Sequence, residues 1–210
     1  MEMGCFVGTR VYDRPTFVLN DVAERQRQQA ELQTSLEAAK RVNGKWITTL
    51  SSLADPRVPF ALQTANMIDN LKYLGDLAAR NGVVLLIEAI NAIDYPNTFV
   101  THVPHAYEIV KSVGSPGVKL MFDTFHAQIM DGDLIRLMDR TWDQIGFVQI
   151  ADNPGRTEPG TGEINYPNVL KHLQAKGYSG LVEFEHTYSK PGKAGEQAVL
   201  DSWKRLNAAL

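Results

Sequence analysis

The chain has 210 residues, 44% of them hydrophobic and 21% charged, with a formal net charge of −3 spread along its length. This composition describes an ordinary globular chain long enough to bury a substantial core, and its acidic balance argues against a nucleic-acid partner. No apolar run approaches the roughly 20 residues that span a bilayer, and the opening MEMGCFVGTR lacks the basic region and long apolar stretch of a signal peptide, so a cytoplasmic location without membrane contact is expected.

In chain order, the first strand candidate is Gly4 to Gly8. Its Cys5, the lone cysteine, cannot form an internal disulfide and sits in an apolar run, which suits a buried structural thiol. The polar loop TRVYDRPTFVLND, of a length suited to an active site, leads to Asp21, a candidate N-cap for a helix reaching about Val42. Further strand candidates fall at Trp46 to Leu50, Val83 to Ile90, Val118 to Asp123, Gly146 to Ala151 and Leu181 to Glu185, each followed by a helix-patterned segment. In the helix before the third strand, Asp69, Lys72, Asp76 and Arg80 are spaced for a solvated face, while Met67, Leu71, Leu74 and Leu77 repeat as a core stripe. Gly82, Gly114, Gly146, Gly177 and Gly180 stand where a helix ends or a strand begins.

The strands read as near-continuous Val, Ile, Leu and Phe, the pattern of a parallel sheet covered on both faces. An α/β architecture follows, a (β/α) TIM barrel forming one domain over residues 1–210. A complete barrel has eight units of about 30 residues, so six units imply a shortened barrel from which about two βα units are missing. Its first and last strands would carry open edges, and association into a homo-oligomer is the expected way to cover them.

Glu88, Asp123, Gln149 and Glu185 each close an apolar run: VVLLIEAIN, VKLMFDTFH, IGFVQIAD and GLVEFEHT. The carboxyl ends of barrel strands open on one face, so these side chains converge although tens of residues separate them. Three carboxylates and an amide oxygen are hard ligands, fitting a divalent metal ion, Mg²⁺ or Mn²⁺. Each residue taken alone could equally be the polar end of its strand; four in register point to one site.

From about Leu86 to His186 the residues resemble the hydroxypyruvate isomerase family, within the xylose isomerase-like TIM-barrel group that also holds ketose 3-epimerases and an endonuclease branch. Three blocks carry the resemblance: LLIEAIN at 85–91, FDTFHAQIMDGDL at 122–134 and QIADNPGRTEPGTGEINYPNVL at 149–170. The chain's first residues look like that family's third strand, which implies a TIM barrel lacking the first two βα units. The resemblance implies that Glu88, Asp123, Gln149 and Glu185 are the metal ligands, with Gln149 standing where the epimerases usually place a histidine. It also implies that Glu88 and Glu185 are the catalytic acid/base pair, and that His126 and Arg156 contact the substrate. Glu158 and Glu163, in the EPGTGE turn, are read as anchors of the loop that carries the arginine. After Glu185 the chain reads EHTYSKPG, where relatives have an aromatic residue followed by lysine, and Lys190 is the nearby replacement for that carboxylate contact.

Moving a carbonyl between adjacent carbons requires removing a proton next to a ketone, which a divalent ion and two carboxylates make feasible. The expected activity is a metal-dependent isomerase of hydroxypyruvate, or of a related small hydroxy-keto acid or ketose, working through an enediolate. A ketose 3-epimerase and a non-catalytic barrel fragment are the alternatives. The endonuclease branch needs a histidine-rich cluster of several metals, and the chain has only His102, His105, His126, His172 and His186.

Overall fold

The β-branched and leucine-rich runs pair with one another in sequence order, giving one curled sheet of six parallel strands. This computed structural model describes residues 3–8 and 11–209; Thr9 and Arg10 of the expected first loop lie outside the described residues. The strands are β1 (Phe6–Val7), β2 (Trp46–Thr49), β3 (Val84–Glu88), β4 (Val118–Asp123), β5 (Ile145–Ile150) and β6 (Val182–Phe184). The helices are α1 (Val22–Val42), α2 (Phe60–Arg80), α3 (Val103–Val113), α4 (Thr124–Met130), α5 (Leu134–Thr141), α6 (Tyr166–Ala175) and α7 (Lys193–Ala208). The six expected units are therefore all present. Two helices rather than one follow β4, because the chain breaks at Asp131 to Asp133, where Gly132 takes a φ of 63°.

Several strands are shorter than the apolar runs that announce them. At the outer strands, β1 narrows to two residues and β6 to three, since a ladder extends only as far as a neighbour offers matching amides and carbonyls. The helices match their signals closely. Asp21 caps α1 by accepting a hydrogen bond from the Glu24 amide at 2.7 Å. Along α2, Met67, Leu71 and Leu74 are fully packed and Leu77 is half-buried, while Asp69, Lys72, Asp76 and Arg80 face solvent.

Strand alternation divides the apolar residues into two cores. Leu85, Ile87, Leu120, Phe122, Val148 and Ile150 face the helices. Leu86, Met121 and Phe147 point the other way and fill the floor of the curl, with Cys5, Trp46, Val84 and Leu181 packed around them. All three are fully buried, each contributing about 2–3 kcal/mol of apolar transfer. The register slips between Leu120 and Met121, the former pairing with Ile145 and the latter with Phe147. Gly146 sits in that irregularity, and a Cβ there would stand 2.5 Å from Lys119 Cβ. One step above the floor, the same inward rows present Glu88, Asp123 and Gln149, with Asp123 and Gln149 paired in register. The polar site thus lies on a dry, packed base. Among the described residues no helix is long and apolar enough to cross a membrane.

Candidate active site

Glu88 ends β3 and Asp123 ends β4, and both are buried. His126 follows on the first turn of α4, a helix that Asp123 itself caps: its Oδ1 accepts the Phe125 amide at 2.8 Å. Capping spends one carboxylate oxygen and leaves the other, Oδ2, turned inward without a hydrogen-bond partner. Three residues on, one helical turn brings His126 Nε2 to 3.6 Å from both Asp123 Oδ2 and Glu88 Oε1. Ligand atoms of Glu88, Asp123 and His126 all lie within 4.8 Å of one another.

The histidine's proton can be placed. Its Nδ1 receives the Asn91 backbone amide at 3.2 Å, and an amide only donates. Burial lowers the His126 pKa to about 3, so the ring is neutral and its one proton is on Nε2, facing the carboxylates. A protonated nitrogen cannot coordinate an ion; here His126 is a hydrogen-bond donor aimed into the site. The Asn91 side-chain nitrogen lies 2.8 Å from the same Nδ1 and 3.0 Å from Asp94 Oδ2, bracing the ring.

Burial, followed by the charges of Asp123 and Glu185, pushes the Glu88 carboxyl well above the ordinary range. Burial and the charge of Glu185 raise Asp123 to about 7, against the opposing pull of Arg156 and two backbone amides. Gln149, in the same layer, also has a buried oxygen, Oε1, with no partner. Native proteins rarely leave buried oxygens unpartnered. Two such oxygens beside a second buried carboxylate form a set that suits a hard divalent cation, which would relieve the repulsion and satisfy both. The residues present therefore fit the expected ion.

Glu185 stands apart from the trio. Its side chain is 45% exposed and its Oε2 accepts from Arg156 Nη2 at 2.9 Å. The same Arg156 nitrogen is 3.9 Å from Asp123 Oδ2, its Nη1 donates to the Tyr95 hydroxyl at 3.0 Å, and the guanidinium lies 5.2 Å from the centre of the Phe125 ring. Glu88, Tyr95, His126, Arg156 and Glu185 line one cavity of about 390 Å³, a size typical of small-molecule sites. Tyr12 of the long first loop also reaches it.

The loop that carries Arg156 is held from several sides. Buried Asp152 accepts from the Gly160, Asn153 and Ile164 amides at 2.7, 3.1 and 3.1 Å. Gly162 is required by close approach, since a Cβ there would stand 2.1 Å from the Asn153 carbonyl oxygen. Glu158 is buried and accepts from both the amide and the hydroxyl of Ser189, while Glu163 stays exposed and accepts from Gln128 and Asn153 side chains. The Arg156 carbonyl takes the Thr187 amide at 2.9 Å and the Thr187 hydroxyl at 3.0 Å. These contacts support the φ of 47° at Arg156 itself, an unusual value for a side-chain-bearing residue. Thr187 and Ser189 belong to the HTYS segment, so that segment is a clamp on the arginine loop. Lys190 is exposed and lies off the cavity wall.

Asn91, Tyr95, Asp152, Thr187 and Ser189 were not among the residues expected from the sequence. Asn91 and Asp152 fall inside the LLIEAIN and QIADNPGR blocks, so the signal was present; the other three carry none.

Residues 5–207 match the family described as xylose isomerase-like TIM barrel. The chain is similar to hydroxypyruvate isomerase of Escherichia coli, 38% identical over 131 residues, covering 62% of this chain and 51% of that protein. It is also similar to 2-oxo-tetronate isomerase of Cupriavidus necator, 34% identical over 152 residues, covering 72% of this chain and 58% of that one. The chain therefore spans little more than half the length of these relatives. Among solved structures, a family 2 AP endonuclease from Brucella melitensis superposes with a TM-score of 0.81 at 28% identity, over 90% of this chain and 71% of its own.

Proposed function

We propose that this chain, which belongs to the xylose isomerase-like TIM barrel family, acts as a divalent-metal-dependent isomerase of small hydroxy-keto acids. The names of its relatives support the reaction class. The observation that carries the metal-dependent reading is the pair of buried, unpartnered oxygens, Asp123 Oδ2 and Gln149 Oε1, beside the raised carboxyl of Glu88. Glu88, Asp123, Gln149 and Glu185 would hold the ion, Mg²⁺ or Mn²⁺. Bound there, it would supply charge stabilisation for enediolate oxygens.

The chain's own residues then divide the work. With hydroxypyruvate, Glu185 removes a proton from the hydroxymethyl carbon, and the electron pair moves through the new carbon–carbon double bond onto the carbonyl oxygen. The hydroxyl proton passes to that oxygen, and Glu88 relays a proton taken from solvent to the former carbonyl carbon, leaving the aldehyde of tartronate semialdehyde. Arg156 suits both ends of this scheme: its fork matches a substrate carboxylate, and its 2.9 Å contact with Glu185 Oε2 holds that carboxylate in place. His126 donates its Nε2 proton to a substrate oxygen, and Asn91 keeps that proton on the correct nitrogen.

The test is incubation with hydroxypyruvate and Mn²⁺ in D₂O, followed by NMR. Tartronate semialdehyde carrying solvent deuterium is expected, and Glu185→Gln should lower turnover by about 100-fold or more while keeping the fold. Undiminished turnover in that variant would remove Glu185 as the base. Absence of both conversion and deuterium exchange, with hydroxypyruvate and with four-carbon 2-oxo acids, would sink the isomerase reading in favour of a non-catalytic barrel. A ketose 3-epimerase would use the same two glutamates but return the proton to the carbon it came from, so product analysis separates the two.

A further inference from the structure

A glutamine has one end that attracts a cation and one that repels it, so the turn of the Gln149 amide decides whether the residue helps hold an ion at all. Glu183 governs that turn. It is the register partner of Gln149 on β6, and it precedes Glu185 by two residues on the same inward row. Its Oε2 accepts from Gln149 Nε2 at 2.8 Å and from the Cys5 thiol at 3.0 Å.

A carboxylate oxygen offers nothing but acceptance, so it selects the amide nitrogen and turns Gln149 Oε1 to the opposite side, where that oxygen is buried and unpartnered. Two features hold Glu183 in this role. The Cys5 thiol donates to the same Oε2 at 3.0 Å, a second hydrogen bond that fixes the carboxylate. Gly4 leaves the space that the carboxylate fills, since a Cβ there would stand 2.2 Å from Glu183 Oε1.

We propose that Glu183 is a positioning residue: by holding the Gln149 amide nitrogen it directs Gln149 Oε1 to the ion held with Glu88 and Asp123, and so sets the affinity for that ion. The inference rests on the metal site proposed above. Removing Glu183 frees the amide to offer its nitrogen to Glu88 and Asp123 instead, a stable hydrogen-bonded arrangement that an incoming ion must undo.

The experiment is titration of the full chain with Mn²⁺, read by the electron paramagnetic resonance of free Mn²⁺, with each variant's fold checked by its melt in chelator. Glu183→Leu should weaken Mn²⁺ binding by about 10- to 100-fold, the range for loss of an outer partner of a metal ligand. In a Gln149→Glu background, where either end is an oxygen and the two carboxylates would repel, the same change should leave binding equal or tighter. This reversal separates positioning from a merely structural role. Equal losses in both backgrounds, or no loss with Gln149 present, would overturn the inference; Glu183→Met serves if the leucine variant does not fold. Binding that is lost in Asp123→Asn but untouched by Glu183→Leu would leave the metal site standing and remove only this inference. Absence of Mn²⁺ binding by the unaltered chain would remove both.

Discussion

Replacing Asp123 by asparagine should stabilise the metal-free protein at alkaline pH, an advantage that narrows or inverts once metal is added. Asp123 is buried, and its carboxyl is raised from the ordinary 3.8 to about 7. A group whose folded pKa lies above its unfolded value favours folding while protonated. Its contribution is intact below pH 3.8 and is lost as pH climbs to about 7. At pH 8 the ionised side chain then opposes folding by about 4 kcal/mol, an upper bound because Glu88 shares the repulsion. Asparagine retains an oxygen for the Phe125 amide and carries no charge. The expected gain of about 2–4 kcal/mol corresponds to a melting shift of about 5–15 °C in chelator at pH 8, shrinking towards zero near pH 4. With Mn²⁺ at about 100 times its Kd, the unaltered chain gains about 2.7 kcal/mol and the variant gains nothing, so the difference narrows or inverts. Differential scanning calorimetry at the two pH values, with and without metal, reads all four states. A variant that melts lower than the unaltered chain in chelator at both pH 8 and pH 4 would refute the argument that this carboxylate is strained without a cation.

Because Asp123 and Glu88 must give up protons before they ligate, Mn²⁺ affinity should fall by about tenfold or more for each pH unit below 7; calorimetric titration showing a flat profile from pH 7.5 to 5.5 would contradict the raised values. Arg156→Lys keeps the charge but loses the fork that spans Glu185 and Tyr95, so KM for a keto acid should rise by about tenfold or more with a smaller change in kcat, and unchanged KM would exclude a carboxylate contact. Phe147→Ala hollows the floor beneath the site and should cost about 3–5 kcal/mol in chemical denaturation, whereas a loss below about 1 kcal/mol would mean that the inner cluster is not the packed base described.

Much of this architecture was legible in advance. The six units follow from apolar runs punctuated by glycine, and the inward direction of Glu88, Asp123 and Gln149 follows from their places at or near strand ends, whereas Glu185 lies just past β6 with its side chain 45% exposed. What the apolar runs overstated was strand length. Gly4 to Gly8 narrows to Phe6–Val7, and Leu181 to Glu185 to Val182–Phe184, because hydrogen bonding to a neighbour, rather than hydrophobicity, ends a strand. Cys5 was expected as an inert buried thiol; it is half-buried and bonded to Glu183, which no local pattern announces.

Sequence by itself determined the rows: which residues face inward, in what order they stack, and that oxygen-bearing side chains gather at one end of the sheet. Periodicity and chain order suffice for that, since both are local properties. The tertiary structure alone decided the partners. Asn91 fixes the proton of His126 across 35 residues, Arg156 meets Glu185 across 29, Glu183 meets Gln149 across 34, and Cys5 reaches Glu183 across 178. Each contact depends on strand register and on how far the sheet curls, quantities set by the packing of the whole core and written in no single segment.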